Sequence, residues 1–95
     1  MEKRKHRRIC FERPVILRLF TGERETLSAY DLSVKGIGLS SEQPRNLNEV
    51  VALLFEIQHQ GKTRQVDILG KIRHVQSTNT GYNLGVEFVS NNSLL

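Results

Sequence analysis

The sequence predicts an all-β protein closed into a small barrel, and three observations carry that expectation. Apolar and polar residues alternate with a period of two along most of the chain, the spacing of a half-buried strand. Clusters rich in Gly, Pro, Asn, Ser and Thr break the alternation at short intervals, as turns do between consecutive strands. Ninety-five residues supply one core and leave no room for a second. About six strands follow, a number that suits a sandwich or a barrel. The barrel is preferred, because a closed sheet has no edges to hide.

Residues 1–8 form a basic arm with almost nothing apolar to bury, so the arm is expected to be flexible until it meets a ligand. The barrel domain is expected over residues 9–89. In Pro14–Phe20, Val15, Leu17 and Leu19 share one face, and Pro14 suits a strand start, where its missing N–H does no harm. Thr21–Arg24 reads as a turn and Thr26–Leu32 as the second strand. Asp31-Leu-Ser-Val-Lys-Gly36 then interrupts the pattern, and a short strand over Ile37–Ser40 follows. Ser41–Asn48 contains Pro44 and many polar residues, which predicts a loop with room for a short helical turn. Val51, Leu53, Phe55 and Ile57 alternate in the next strand, and Gln58–Lys62 is a hairpin signal. Val66, Ile68, Gly70 and Ile72 line one face of a long strand. Ser77–Gly81 closes another hairpin before Leu84, Val86 and Phe88. Residues 90–95 are expected to fray, with little or no C-terminal helix.

Composition excludes several classes of function. Hydrophobic residues make up 38% and charged residues 25%, as in ordinary globular domains. No apolar run approaches the length of a membrane span, and the N-terminus lacks a signal-peptide stretch. A cytoplasmic protein without membrane insertion is therefore expected. Cys10 is the sole cysteine, so neither an internal disulfide nor a cysteine metal cluster can form. His6, His59 and His74 are scattered, beside no acid pair, and no metal or cofactor is expected, although His6 is placed to assist the arm. Phe11, Phe55 and Phe88 read as core, Tyr82 as packing at a strand start, and Tyr30 as a residue that could touch a base. No P-loop, nucleophile elbow or catalytic carboxylate pair is present, so an enzyme is not expected.

The net charge of +4 is concentrated at one end. Lys3, Arg4, Lys5, Arg7 and Arg8 surround His6, and such a patch attracts phosphates, acidic lipid surfaces or acidic protein segments. Arg4 and Arg8 are four apart, and guanidinium forks match phosphate oxygens or the Hoogsteen edge of guanine. The plainer reading of the arm is a solvated charged tail. Asp31-x-Ser33-x-x-Gly36, with Gly38 beyond it, also has two readings. As a turn, Asp and Ser bond their own backbone and Gly permits positive φ. As a site, a carboxylate beside bound phosphate needs a donor to meet, and the N1–H and N2–H₂ edge of guanine supplies one.

Lys3-Arg4-x-x-x-Arg8, an apolar stretch from Ile9, a strand at Pro14-Val15 and then Asp31-x-Ser33-x-x-Gly36 together resemble the PilZ domain family, bacterial receptors for cyclic di-GMP. The ending Gly81–Val89 resembles that family's last strand, so the likeness runs from about Glu2 to Val89. Each motif alone is weak; their order, their separation and the β pattern between them carry the match. The resemblance implies a six-stranded antiparallel barrel. It assigns Arg4 and Arg8 to guanine and phosphate, Asp31 and Ser33 to guanine and the neighbouring phosphate or ribose, and Gly36 to close backbone approach. Lys3, Arg7 and Gly38 are further candidate contacts. Many members continue into a C-terminal helix, a feature this sequence does not predict. The implied role is a cytoplasmic signalling receptor whose arm closes over cyclic di-GMP and creates a surface for an unidentified downstream protein. The alternatives are a ligand-independent protein-interaction adaptor on the same fold and a non-specific nucleic-acid binder. Low aromatic content and Asp31 count against the nucleic-acid reading.

Overall fold

The structure, a computed structural model, describes residues 14–89. They form β1 (Pro14–Leu19), β2 (Arg24–Leu32), β3 (Gly36–Ser41), β4 (Val50–His59), β5 (Lys62–Ser77) and β6 (Tyr82–Phe88). The strands pair antiparallel in the order β1-β2-β3-β6-β5-β4, and β4 returns to β1 to close the barrel. The predicted architecture is the observed one. No helix occurs among the described residues, so none there is long and apolar enough to cross a membrane. The basic arm over residues 1–8 and the tail over residues 90–95 lie outside the described residues.

Alternation builds the core. Val15 and Leu17 of β1, Leu39 of β3, Val51 and Leu53 of β4, Ile72 of β5 and Leu84 of β6 are the largest fully buried side chains. Phe55 is buried with them, and Phe88 and Tyr82 pack half-buried against the same cluster. Burying each such side chain contributes about 1.5–3 kcal/mol. A one-residue slip in any strand would turn its whole apolar set toward water, and that fixes the register.

Where strand limits differ from the sequence expectation, pairing rather than burial is the reason. β5 starts at Lys62, four residues before Val66, because its ladder to β4 runs unbroken from His59↔Lys62 to Val50↔Lys71. Lys62–Gln65 are exposed, so no apolar alternation marks them. Gln60 and Gly61, both at positive φ, make the tight turn of this hairpin. Arg24 likewise joins β2 opposite Arg18 instead of closing the turn before it.

Ser41 belongs to β3, paired with Tyr82, and the stretch after it contains no helical turn. The Ser41 hydroxyl donates to the Gln43 carbonyl at 2.8 Å and accepts the Gln43 N–H at 3.1 Å, which turns the chain out of the sheet. Arg45 then reaches back to Glu25 at 2.5 Å in a largely buried ion pair that ties the loop to β2. Ser41→Ala is expected to lower stability by about 1–2 kcal/mol, the worth of these bonds, read as a shifted urea midpoint.

Candidate functional site

Two β-bulges set the chemistry of the outer wall. Along β2, Leu27 and Ala29 face the core, and strict alternation would bury Asp31 next. The β2–β3 register shifts between Ala29 and Asp31 instead. Tyr30 and Asp31 therefore both lie on the outside, and Leu32 returns to the core. β5 repeats the device: Gly70 and Ile72 are buried, the register shifts between Ile72 and His74, and Arg73 and His74 both emerge before Val75 packs inward. Burying an unpaired charge would be costly, and an extra residue in the strand re-aims the side chain.

Between the bulges run β3 and β6. Asp31 pairs with Gly38, Gly38 with Gly85, and Gly85 with His74, a single row across four strands. Three strand spacings separate its ends, about 14 Å of backbone. The middle of the row carries no side chains, and an open depression of about 420 Å³ lies over it. Its lining includes Tyr30, Asp31, Ser33, Lys35, Arg73 and His74, with Gly36, Gly38 and Gly85 beneath and Glu87 at the side.

The glycines are required by close approach. A Cβ on Gly38 would lie 2.6 Å from the Tyr30 ring and 3.0 Å from Asp31 Oδ1. A Cβ on Gly36 would collide with the Val86 carbonyl oxygen of β6. Gly36 is not among the positive-φ residues, so the left-handed conformation expected of a turn glycine is not its reason. Ser33 serves the turn directly. Its N–H donates to the Gly36 carbonyl at 2.9 Å, and its Oγ accepts the Lys35 N–H at 3.2 Å. The hydroxyl still carries a hydrogen to donate. Turn and cavity wall are thus the same residues.

Charges on this wall balance. Asp31 and Glu87 oppose Lys35 and Arg73, and Arg73 Nε sits 3.3 Å from Glu87 with both side chains more than half exposed. Among the described residues no group of three or more His, Cys, Asp or Glu could hold a metal.

Of the residues singled out in the sequence, Asp31, Ser33, Gly36 and Gly38 come together in one depression, and Tyr30 stands beside them. Lys3, Arg4, Arg7 and Arg8 lie outside the described residues. Sequence reasoning missed Lys35, Arg73, His74 and Gly85. One signal was available: between Ile72 and Val75 the alternation skips a beat, and two consecutive polar residues fill the gap.

The PilZ domain family model matches residues 2–94. Among solved structures, the fold is similar to the inhibitor of motility MotI/DgrA of Bacillus subtilis, with a TM-score of 0.79 at 16% identity over 95% of this chain and 44% of that one. It is similar to the PilZ domain of YcgR from Escherichia coli with c-di-GMP, with a TM-score of 0.70 at 14% identity over 96% of this chain and 81% of that one. It is also similar to the PlzA protein of Borreliella burgdorferi in complex with c-di-GMP, with a TM-score of 0.64 at 18% identity over 99% of this chain and 37% of that one. This chain spans less than half the length of MotI/DgrA and of PlzA. At these identities the likeness is one of fold. No curated protein matches the sequence.

Proposed function

The chain belongs to the PilZ domain family of cyclic di-GMP receptors, and on that premise we propose that it is itself a non-enzymatic cyclic di-GMP receptor whose basic arm closes over the glycine row. The observation that carries this reading is the position of Pro14, the first described residue, beside β2. Pro14 pairs with Ser28, three residues along β2 from Asp31. Arg8 precedes Pro14 by six residues, a reach of up to about 20 Å. Ser28 to Asp31 is only about 10 Å of strand. The reach of the arm therefore includes the depression.

Charge supports the same conclusion. The described wall sets two carboxylates against two cations, so it has no excess of positive charge for a doubly anionic ligand, and further cations are needed to supply that excess. Arg4 and Arg8, with Lys3 and Arg7 beside them, supply it. In this reading the Asp31 carboxylate accepts the N1–H and N2–H₂ of one guanine, and the Ser33 hydroxyl donates to a neighbouring phosphate or ribose oxygen. Gly36 and Gly38 let the ligand approach the backbone. No bond is made or broken. The output is a changed surface, ordered arm plus ligand, which a downstream protein reads.

Calorimetric titration with cyclic di-GMP, GMP and single-stranded DNA tests the proposal. Tight binding is expected for cyclic di-GMP alone, with only weak, salt-sensitive heat from DNA. A protein that takes up no cyclic di-GMP overturns it. Asp31→Ala is expected to weaken binding by about tenfold, one charge-assisted hydrogen-bond pair, with the melting temperature little changed.

A further inference from the structure

We infer that Arg73 and His74, presented together by the β5 bulge, form a second binding edge of this site, facing the phosphates of the cyclic dinucleotide from the end opposite Asp31. The inference rests on the receptor reading above and adds an assignment to it. Four observations lead there. Continued alternation from Gly70 and Ile72 would aim His74 into the barrel, yet the strand takes in an extra residue and turns two adjacent polar side chains outward. The bulge thus matches the one that exposes Tyr30 and Asp31, at the other end of the same row.

Gly85 keeps that end open. It pairs with His74, and a Cβ there would stand 3.1 Å from the His74 Cβ, so a larger residue would push the imidazole away from the row. Arg73 has only a weak competitor for its charge. Its charged partner Glu87 is 3.3 Å from Nε with the two side chains 53% and 55% exposed, and its Nη1 donates to the exposed Asn48 Oδ1 at 3.3 Å, two long surface contacts that a phosphate can replace. A phosphate offers the guanidinium a bidentate acceptor, which is the stronger bond. Finally, about 14 Å of row separates Asp31 from His74. No single base spans that distance with both its edges bonded, so the two ends meet different parts of one extended, doubly anionic ligand. This edge would favour a dinucleotide over a mononucleotide.

The test is calorimetric titration of cyclic di-GMP into the parent, the Arg73→Gln/His74→Gln variant and Arg18→Gln. Arg18 is an exposed cation on β1 outside the depression, and it controls for bulk charge. The double variant is expected to bind at least about tenfold more weakly, the loss of one or more charge-assisted bonds. Its melting temperature should match the parent's, and Arg18→Gln should bind as the parent does. A parent that binds cyclic di-GMP and a double variant that binds it equally well overturn the inference and leave the receptor reading standing. An equal loss in Arg18→Gln also overturns it, because the effect would then be general attraction. A parent that does not bind removes the receptor reading and this inference with it.

Discussion

Removing Arg4 and Arg8 together, as Arg4→Ala/Arg8→Ala, is expected to abolish measurable binding of cyclic di-GMP. A charge-assisted hydrogen bond contributes about 1.5–3 kcal/mol, so two lost arginines forfeit about 3–6 kcal/mol, roughly two to four orders of magnitude in affinity. The single variants should lose nearly as much. Ordering six arm residues costs about 6–12 kcal/mol by itself, and one arginine cannot offset it. Stacking of guanidinium on guanine adds only about 1 kcal/mol or more, so contacts must form as a set. Deletion of either arginine then prevents closure, and the two losses are strongly non-additive. Calorimetry measures the affinities. Limited trypsin digestion adds an independent readout: ligand should slow cleavage in the arm of the parent and leave either variant's arm unprotected. Single variants that bind as tightly as the parent would take the arm out of the site.

Gly36→Ala is expected to damage the fold as well as the site. The added Cβ meets the Val86 carbonyl oxygen and lies 3.3 Å from the Glu87 Cα, both backbone, so no rotamer change relieves the collision. Gly36 stands where β3 starts against Glu87 of β6, and the Phe88 N–H donates to the Lys35 carbonyl at 2.8 Å just beside it. Accommodation requires the two strands to separate, which disturbs the Gly38–Gly85 pair two residues on. A loss of about 3 kcal/mol is expected, the upper part of the ordinary range for overpacking, measured as a lowered urea midpoint. Gly38→Ala provides the contrast. Its Cβ meets the Tyr30 ring and Asp31 Oδ1, side-chain rather than backbone atoms, so stability should change less while ligand binding changes through the displaced side chains. If Gly36→Ala proved as stable as the parent, the close β3–β6 approach would not be a constraint in solution.

The alternation of Val15, Leu17 and Leu19, and of Val51, Leu53, Phe55 and Ile57, determined by itself that these segments are β-strands and which of their faces lie inside. Such periodicity is local, and burial enforces it residue by residue. The ordered motifs around Arg4, Arg8, Asp31 and Ser33 likewise pointed to the PilZ domain family, whose model matches residues 2–94. Strand limits were less legible, since Lys62–Gln65 are held in β5 by pairing with β4 while remaining exposed. The site depended on more than the motif. Asp31 meets Gly38, Gly85 and His74 only because three strand pairings and two register shifts align in one row. Only closure of the barrel brings β6 between β3 and β5, so only the tertiary structure decided that Arg73 and His74 share a wall with Asp31. A pairing partner distant along the chain leaves no periodic trace in the residues that flank it.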